Sequence, residues 1–239
     1  MNAFDTAHYI RLRQRMSAVF DPAFAGPLPE KREELGEGYA VQVRFYTAGA
    51  GKLPQYPYSV RASESRLLAP DGRELYTWRN LHNNGDFRRL IRHKNGRHYL
   101  VFRRDLYGYS VLEVETGEDC HYIPAESYPE RQEDFRETFI WTDAHYDPDS
   151  SLLAAPGCYW ASTNSAVVID FSHPLIPQER WLELHEVIDP DYDRYDDLDF
   201  VAWDREKGML LRGFSVESCQ YESLSLPVET IRAALARKS

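Results

Sequence analysis

Three side chains between residues 143 and 158 carry groups from which a small active centre could be built. They are the carboxyl of Asp143, the imidazole of His145 and the thiol of Cys158. All lie in FIWTDAHYDPDSSLLAAPGCYWA (139–161), interleaved with Trp141, Tyr146, Tyr159 and Trp160. Residues two apart share one face of a strand, so Asp143 could orient His145 for acid–base work or as a metal ligand. A thiol within reach of that imidazole would add a nucleophile, giving a hydrolase or lyase. No flanking motif accompanies the trio: the chain has no P-loop, GxGxxG, GxSxG or HExxH. The stronger expectation is therefore structural, with His145 a partly buried, hydrogen-bonded histidine, Cys158 a packed thiol, and Trp141 and Trp160 core residues.

The elements that would hold these groups read as β. TFIWTDAHYDP reads as one strand, with Phe139, Trp141, Asp143 and His145 on one face and Ile140, Thr142, Ala144 and Tyr146 on the other. DPDS is a turn, and SLLAAPGCYW is the returning strand, broken at Pro156–Gly157 by a bulge or bend. That break sets Cys158, Tyr159 and Trp160 at an element end, where binding groups gather. The same unit recurs. YAVQVRFY, RHYLVF, YSVLEVE, AVVIDF, FVAW and MLLRGF are strand-like, with first turns near Gly51, Gly96, Asp149 and Lys207. A second punctuation follows each, at Gly72, Gly117, Ser172 and Pro227, a spacing that suits propeller blades and similar arrays. Residues 3–19 read as a helix, 21–38 as a connector rich in Pro and Gly, and 227–239 as a C-terminal helix. The expected organisation is an N-terminal helix and connector over 1–38, a β-repeat domain over 39–226 and the closing helix over 227–239.

VLEVETGE (111–118) and VVIDFSHP (167–174) resemble the outer strands of WD40-like β-propeller blades, although no Gly-His or Trp-Asp pair sits in register. The resemblance implies a mainly β, propeller-like array of about four antiparallel blade-like units with short helices at the two ends. ETFIWTDAHYDPDSSLLAAPGCYWA also resembles a set of uncharacterised proteins, from which no activity follows.

Composition narrows the function classes. Hydrophobic residues at 43% and charged residues at 28% describe a folded globular chain. No apolar run is long enough to span a membrane, and the N-terminus lacks the apolar core of a secretion signal. The three cysteines, Cys120, Cys158 and Cys219, have no CxxC spacing, so neither a disulfide framework nor a zinc site is expected, and the location expected is cytoplasmic. The formal charge of −10 is unevenly spread. Arg79–Arg104 carries eight Arg/Lys against one acid, and Glu113–Asp199 carries twenty-two acids against four arginines. The basic stretch, with His82, His93 and His98 near it, is a solvated hairpin or a partner for the acidic half rather than a nucleic-acid site. In VIDPDYDRYDDLDF (187–200), Arg194 and Phe200 stand where an EF-hand needs glycine and glutamate, so Asp193, Asp196, Asp197 and Asp199 read as a solvated acidic loop before a looser cation site. The expected function is non-enzymatic binding of a protein or peptide through loop ends and an acidic face that would select a basic partner. Trp160, Tyr159, Tyr146, Asp193, Asp196 and Asp197 are the binding candidates, with no cofactor or metal and neither nucleic acid nor membrane as partner. The alternative is a hydrolase or lyase around Asp143, His145 and Cys158.

Overall fold

Gly96 and Gly117 take φ of 86° and 77°, a region that a Cβ disfavours, and each lies in the turn of a tight hairpin. Repeated turns of this kind make sequence neighbours into sheet neighbours. The computed structural model describes residues 1–25, 30–53, 56–81 and 86–238, and in it the chain forms four antiparallel sheets in chain order. The first holds β1 (Lys31–Gly36), β2 (Tyr39–Ala48), β3 (Val60–Leu68) and β4 (Glu74–Asn80). The second holds β5 (Arg88–Arg92), β6 (His98–Phe102), β7 (Tyr109–Glu113) and β8 (Asp119–Tyr122). In the third, β9 (Ile140–Trp141) and β10 (His145–Asp147) both pair with β11 (Leu152–Cys158), followed by β12 (Ser165–Asp170) and β13 (Leu182–Glu183). The fourth has only β14 (Tyr195–Asp204), β15 (Gly208–Ser215) and β16 (Gln220–Leu226). Among the described residues no sheet closes into a barrel.

Among the described residues three short α-helices complete the fold: α1 (Ala7–Met16), the single turn α2 (His185–Ile188) and α3 (Val228–Ala236). Thr6 caps α1 by accepting from the Tyr9 amide at 3.3 Å, and Ser17–Phe20 tightens into a 3₁₀ turn, so the helix is shorter than the 3–19 expected. Pro227 is the N-cap residue of α3. None of these helices is long and apolar enough to cross a membrane.

Seven of the eight expected repeat positions fall between paired strands, with one shift of phase, and Pro227 follows the edge strand β16. Gly96, Asp149 and Lys207 lie in the turns joining β5 to β6, β10 to β11 and β14 to β15. Gly51 lies instead between β2 and β3, and the counterpart of Gly96 in the first sheet is the Glu37–Gly38 turn between β1 and β2. The segment read as a connector thus contains a strand. β1 (KREELG) is charged because it is an edge strand, and its pairing with β2, not its own composition, makes it β. The segments resembling outer strands, at β7 and β12, lie third in their sheets, inside β8 and β13. Residues 26–29 of the connector and His82 lie outside the described residues.

Each sheet after the first packs on the one before it. Val41, Val43 and Trp78 meet Leu100, Phe102 and Leu112 between the first and second sheets. Tyr109 and Val111 meet Trp141, Leu153 and Val167 between the second and third, where Trp141 is fully buried and stacks on Tyr109 at 4.4 Å. Leu152, Ala154 and Val168 meet Leu198, Met209 and Leu211 between the third and fourth, with Ile231 and Ala234 of α3 added. Middle strands are therefore buried on both faces, which is why RHYLVF and AVVIDF read as continuous apolar runs. Burying each large side chain contributes about 1.5–3 kcal/mol before conformational entropy is counted. Met16, Val19 and Phe20 cover the far face of the first sheet.

Candidate functional site

The opening stretch is two strands, not one. Trp141 lies opposite Gly157, and His145 lies opposite Ala154, so four residue steps on one side match three on the other. The extra residue is a β-bulge at 142–144. It reverses the alternation: Phe139 and Trp141 point into the core before it, Ala144 and Tyr146 after it. An unbroken strand would have put Asp143 and His145 on the buried face of Trp141, and the bulge turns them outward. Pro156, which lacks an N–H, stands on β11 near the gap between β9 and β10, where a ladder donor is not required. Its carbonyl accepts from the Thr142 amide at 2.8 Å. Register along β11 and β12 is unbroken through Pro156–Gly157, so the bend expected there lies in the partner strand instead.

Asp143 and His145 do form a pair, with His145 Nε2 at 3.2 Å from the carboxylate. The carboxylate is nonetheless held by Arg89, whose Nε donates at 2.9 Å and whose second nitrogen donates to the other oxygen. The Ala144 amide adds a third donor at 2.8 Å. Burial works to raise this carboxyl's pKa, but the bonds from His145, Arg89 and Ala144 outweigh it and hold the group well below its ordinary range. It is a fixed anion, poorly suited to taking up a proton. His145 stacks on Phe200 at 4.6 Å, and its carbonyl accepts from Trp203 Nε1 at 2.9 Å. β5, β10 and β14, from three different sheets, converge here around a cavity of about 460 Å³ lined by Arg89, Arg92, His145, Tyr146, Phe200 and Trp203.

Cys158 is not part of that cluster. It pairs with Ile140, four residues along β11 from the partner of His145, a separation of about 13 Å at strand rise. Burial raises its thiol pKa, which disfavours the thiolate a nucleophile needs. Cys158 lines a second, largely apolar cavity of about 430 Å³ with Leu106, Ile140, Tyr159 and Trp160, floored by Arg103. The buried Arg103 donates to the Trp141 carbonyl at 2.9 Å. Trp160, expected in the core, is 64% exposed. The residue after it, Ala161, holds φ at 58°, a left-handed conformation costly for alanine. The Trp160 amide donates to Glu137. Tyr159 donates to Glu183 at 2.5 Å, and burial with that carboxylate raises its phenol pKa.

The acidic loop reaches the same end of the molecule. The Asn164 amide donates to Asp197 at 2.8 Å, and Thr163 donates to the Asp196 carbonyl. Asp189 shapes this loop by accepting from the amides of Asp193, Arg194 and Tyr195. Asp199 is spent on Arg212 at 2.8 Å. That pair sits in a groove of about 920 Å³ along the fourth sheet. The four aspartates do not converge, and no group of three metal-ligating residues is found among the described residues. Tyr146 belongs elsewhere: its ring lies against His93 and Phe171, and its hydroxyl reaches Ser151 at 3.4 Å.

A different constellation escaped the sequence reading. Ser110 and His121 are directly opposite on β7 and β8, with Ser110 Oγ 2.8 Å from His121 Nδ1 and Asp119 3.3 Å from Nε2. The composition is that of a hydrolase triad, but the protons are wrongly placed. Arg104 lies 3.0 Å from Nε2, and a guanidinium can only donate. Asp119 would favour a proton on Nε2, but the shorter contact makes Nε2 the acceptor. Nδ1–H then donates to Ser110, the reverse of what activates a serine. Burial, then the charge of Arg104, push His121 down to about 4, and Ser110 is fully buried. Strand-pair register was the signal needed, and no local motif reports it.

Among known proteins, no family model and no curated protein matches this chain.

Proposed function

We propose that the chain is a non-enzymatic binding protein whose β-sheets are arranged in a propeller-like array and whose loop end takes a basic protein or peptide. The observation that carries this reading is Trp160, exposed beside an apolar cavity and fixed from behind by Glu137. Exposed tryptophans with strained neighbours are characteristic of binding surfaces. Glu137, Glu183 and Asp197 touch the 159–164 segment, with Asp196 and Asp193 on the loop leading to Asp197, so a cationic side chain would find both carboxylates and an indole face. The propeller-like arrangement is supported by the succession of sheets and by the meeting of β5, β10 and β14 at one cavity.

The hydrolase or lyase alternative loses its nucleophile, since Cys158 lies far along β11 from His145. The test is titration with two peptides of equal apolar content, one rich in Arg and Leu, the other in Glu and Leu, followed by tryptophan fluorescence. The basic peptide should bind, Trp160→Ala should abolish binding, and affinity should fall steeply as salt shortens the Debye length from about 10 Å to about 3 Å. Reversing Asp193 and Asp196 to lysine should slow the on-rate more than it changes the off-rate. Equal binding of both peptides, or indifference to Trp160→Ala, would refute the proposal.

A further inference from the structure

The fourth sheet stops one strand short. Its neighbours run to four or five strands, whereas β16 ends the fourth sheet, and among the described residues no strand lies along its outer edge. The following helix, α3, lies over β12 and β13 instead of beside β16. An open edge presents unpaired N–H and C=O groups, and proteins ordinarily blunt such edges with charge, brevity or bulges.

The other edges of this molecule are blunted in these ways. β1 carries four charged residues and a register shift, and β5 has three arginines in five residues. β8 has four residues, β10 three, and β9 and β13 two each. β14 carries four aspartates and two register shifts. β4, with Glu74 and Arg79, pairs through a shift at Leu67/Leu68. β16 has none of these. Its seven residues, QYESLSL, hold one charge and pair with β15 from end to end without a shift.

We propose that β16 pairs with β16 of a second copy of this chain, antiparallel about a two-fold axis at Ser223. Two-fold pairing within a sheet sets residues of equal parity opposite one another, and the register that overlaps all of Gln220–Leu226 centres on the middle residue, Ser223. Tyr221 then faces Ser225 of the second copy, and Glu222 faces Leu224. The register centred on Glu222 would set two carboxylates face to face, which the Ser223 register avoids. Glu222 is also anchored within its own sheet, accepting from Tyr195 Oη at 3.1 Å. On the outward face, Ser223 adjoins Arg212, which is paired with Asp199. The two Arg212 side chains would stand three strand spacings apart, about 14 Å, beyond the screening length at physiological salt. Phe214 and the 52% exposed Tyr221, in edge contact at 5.2 Å, would gain cover at the seam.

The test is the mass in solution, by light scattering on the eluting protein and by sedimentation across a concentration series. The expected mass is twice 27.8 kDa. Ser223→Lys, which sets two ammonium groups on the axis, should return a folded monomer with an unchanged circular-dichroism spectrum, while Thr77→Lys on the β4 edge should leave the dimer intact. Register is read by crosslinking in a Cys219→Ser background. Ser223→Cys should form an intermolecular disulfide on mild oxidation, because the two side chains are directly opposed, and Ser225→Cys should not. A chain that stays monomeric throughout would overturn the proposal. So would a dimer indifferent to Ser223→Lys, or one that crosslinks through Ser225→Cys and not Ser223→Cys.

Discussion

His121 gives the sharpest check on this constellation, because its protonation reads out whether Ser110, His121 and Asp119 serve structure. The imidazole is pushed from an ordinary 6.5 down to about 4, first by burial and then by Arg104. A depressed histidine stabilises the fold where both states are neutral, and that contribution is lost as pH falls from the unfolded toward the folded pKa. At pH 5 the unfolded chain holds nearly a full proton at this position and the folded chain about a tenth of one, so moving from pH 7 to pH 5 should cost about 2 kcal/mol through His121. For a chain of this size that corresponds to roughly 4–8 °C in melting temperature. Other groups respond over the same range. His185 is also depressed, whereas His98, raised by Glu115 and Glu37 against its own burial, acts with the opposite sign and strengthens the fold as pH falls. Comparison with His121→Gln cancels both. Urea denaturation of the two proteins at pH 7, 6 and 5 should show the parent losing about 2 kcal/mol more than the variant. The same loss in both, or an NMR titration of His121 with a midpoint near 6.5, would refute the reasoning and leave the imidazole free to act as a base.

Gly157→Ala should destabilise by 3 kcal/mol or more on the usual ~1–3 kcal/mol scale of overpacking, read from the urea midpoint, since its Cβ would fall 2.0 Å from the Ile140 carbonyl oxygen. Asp143→Asn and His145→Ala should each cost about 1 kcal/mol in a thermal melt, because the Arg89 pair is half-exposed and the imidazole loses only its stacking and one bond. Alkylation followed by mass spectrometry should label the exposed Cys219 first. Cys158, raised by burial, should follow, and Cys120, pushed up to about 12, should react last.

Local chemistry in the sequence was enough for the strands at YAVQVRFY, RHYLVF and AVVIDF, the turns at Gly96, Asp149 and Lys207, and the helices near the two ends. Each depends on neighbours a few residues away: alternation, a glycine able to take positive φ, a capping threonine, a proline at a helix start. A mainly β chain of four antiparallel units follows from those signals alone. Tertiary structure decided what depends on register between distant segments. KREELG is a strand only because β2 pairs with it. One residue inserted opposite β11 moved Asp143 and His145 from the core face to Arg89, and no glycine stands there to announce it. Trp141 and Trp160 are the same residue type in one short stretch, yet one stacks between sheets and the other meets solvent at a loop end. Ser110 and His121 meet through strand pairing, and Arg104 then dictates which nitrogen carries the proton. A side chain's type is written in the sequence, but its face, its neighbours and its protonation state follow from which strands come together.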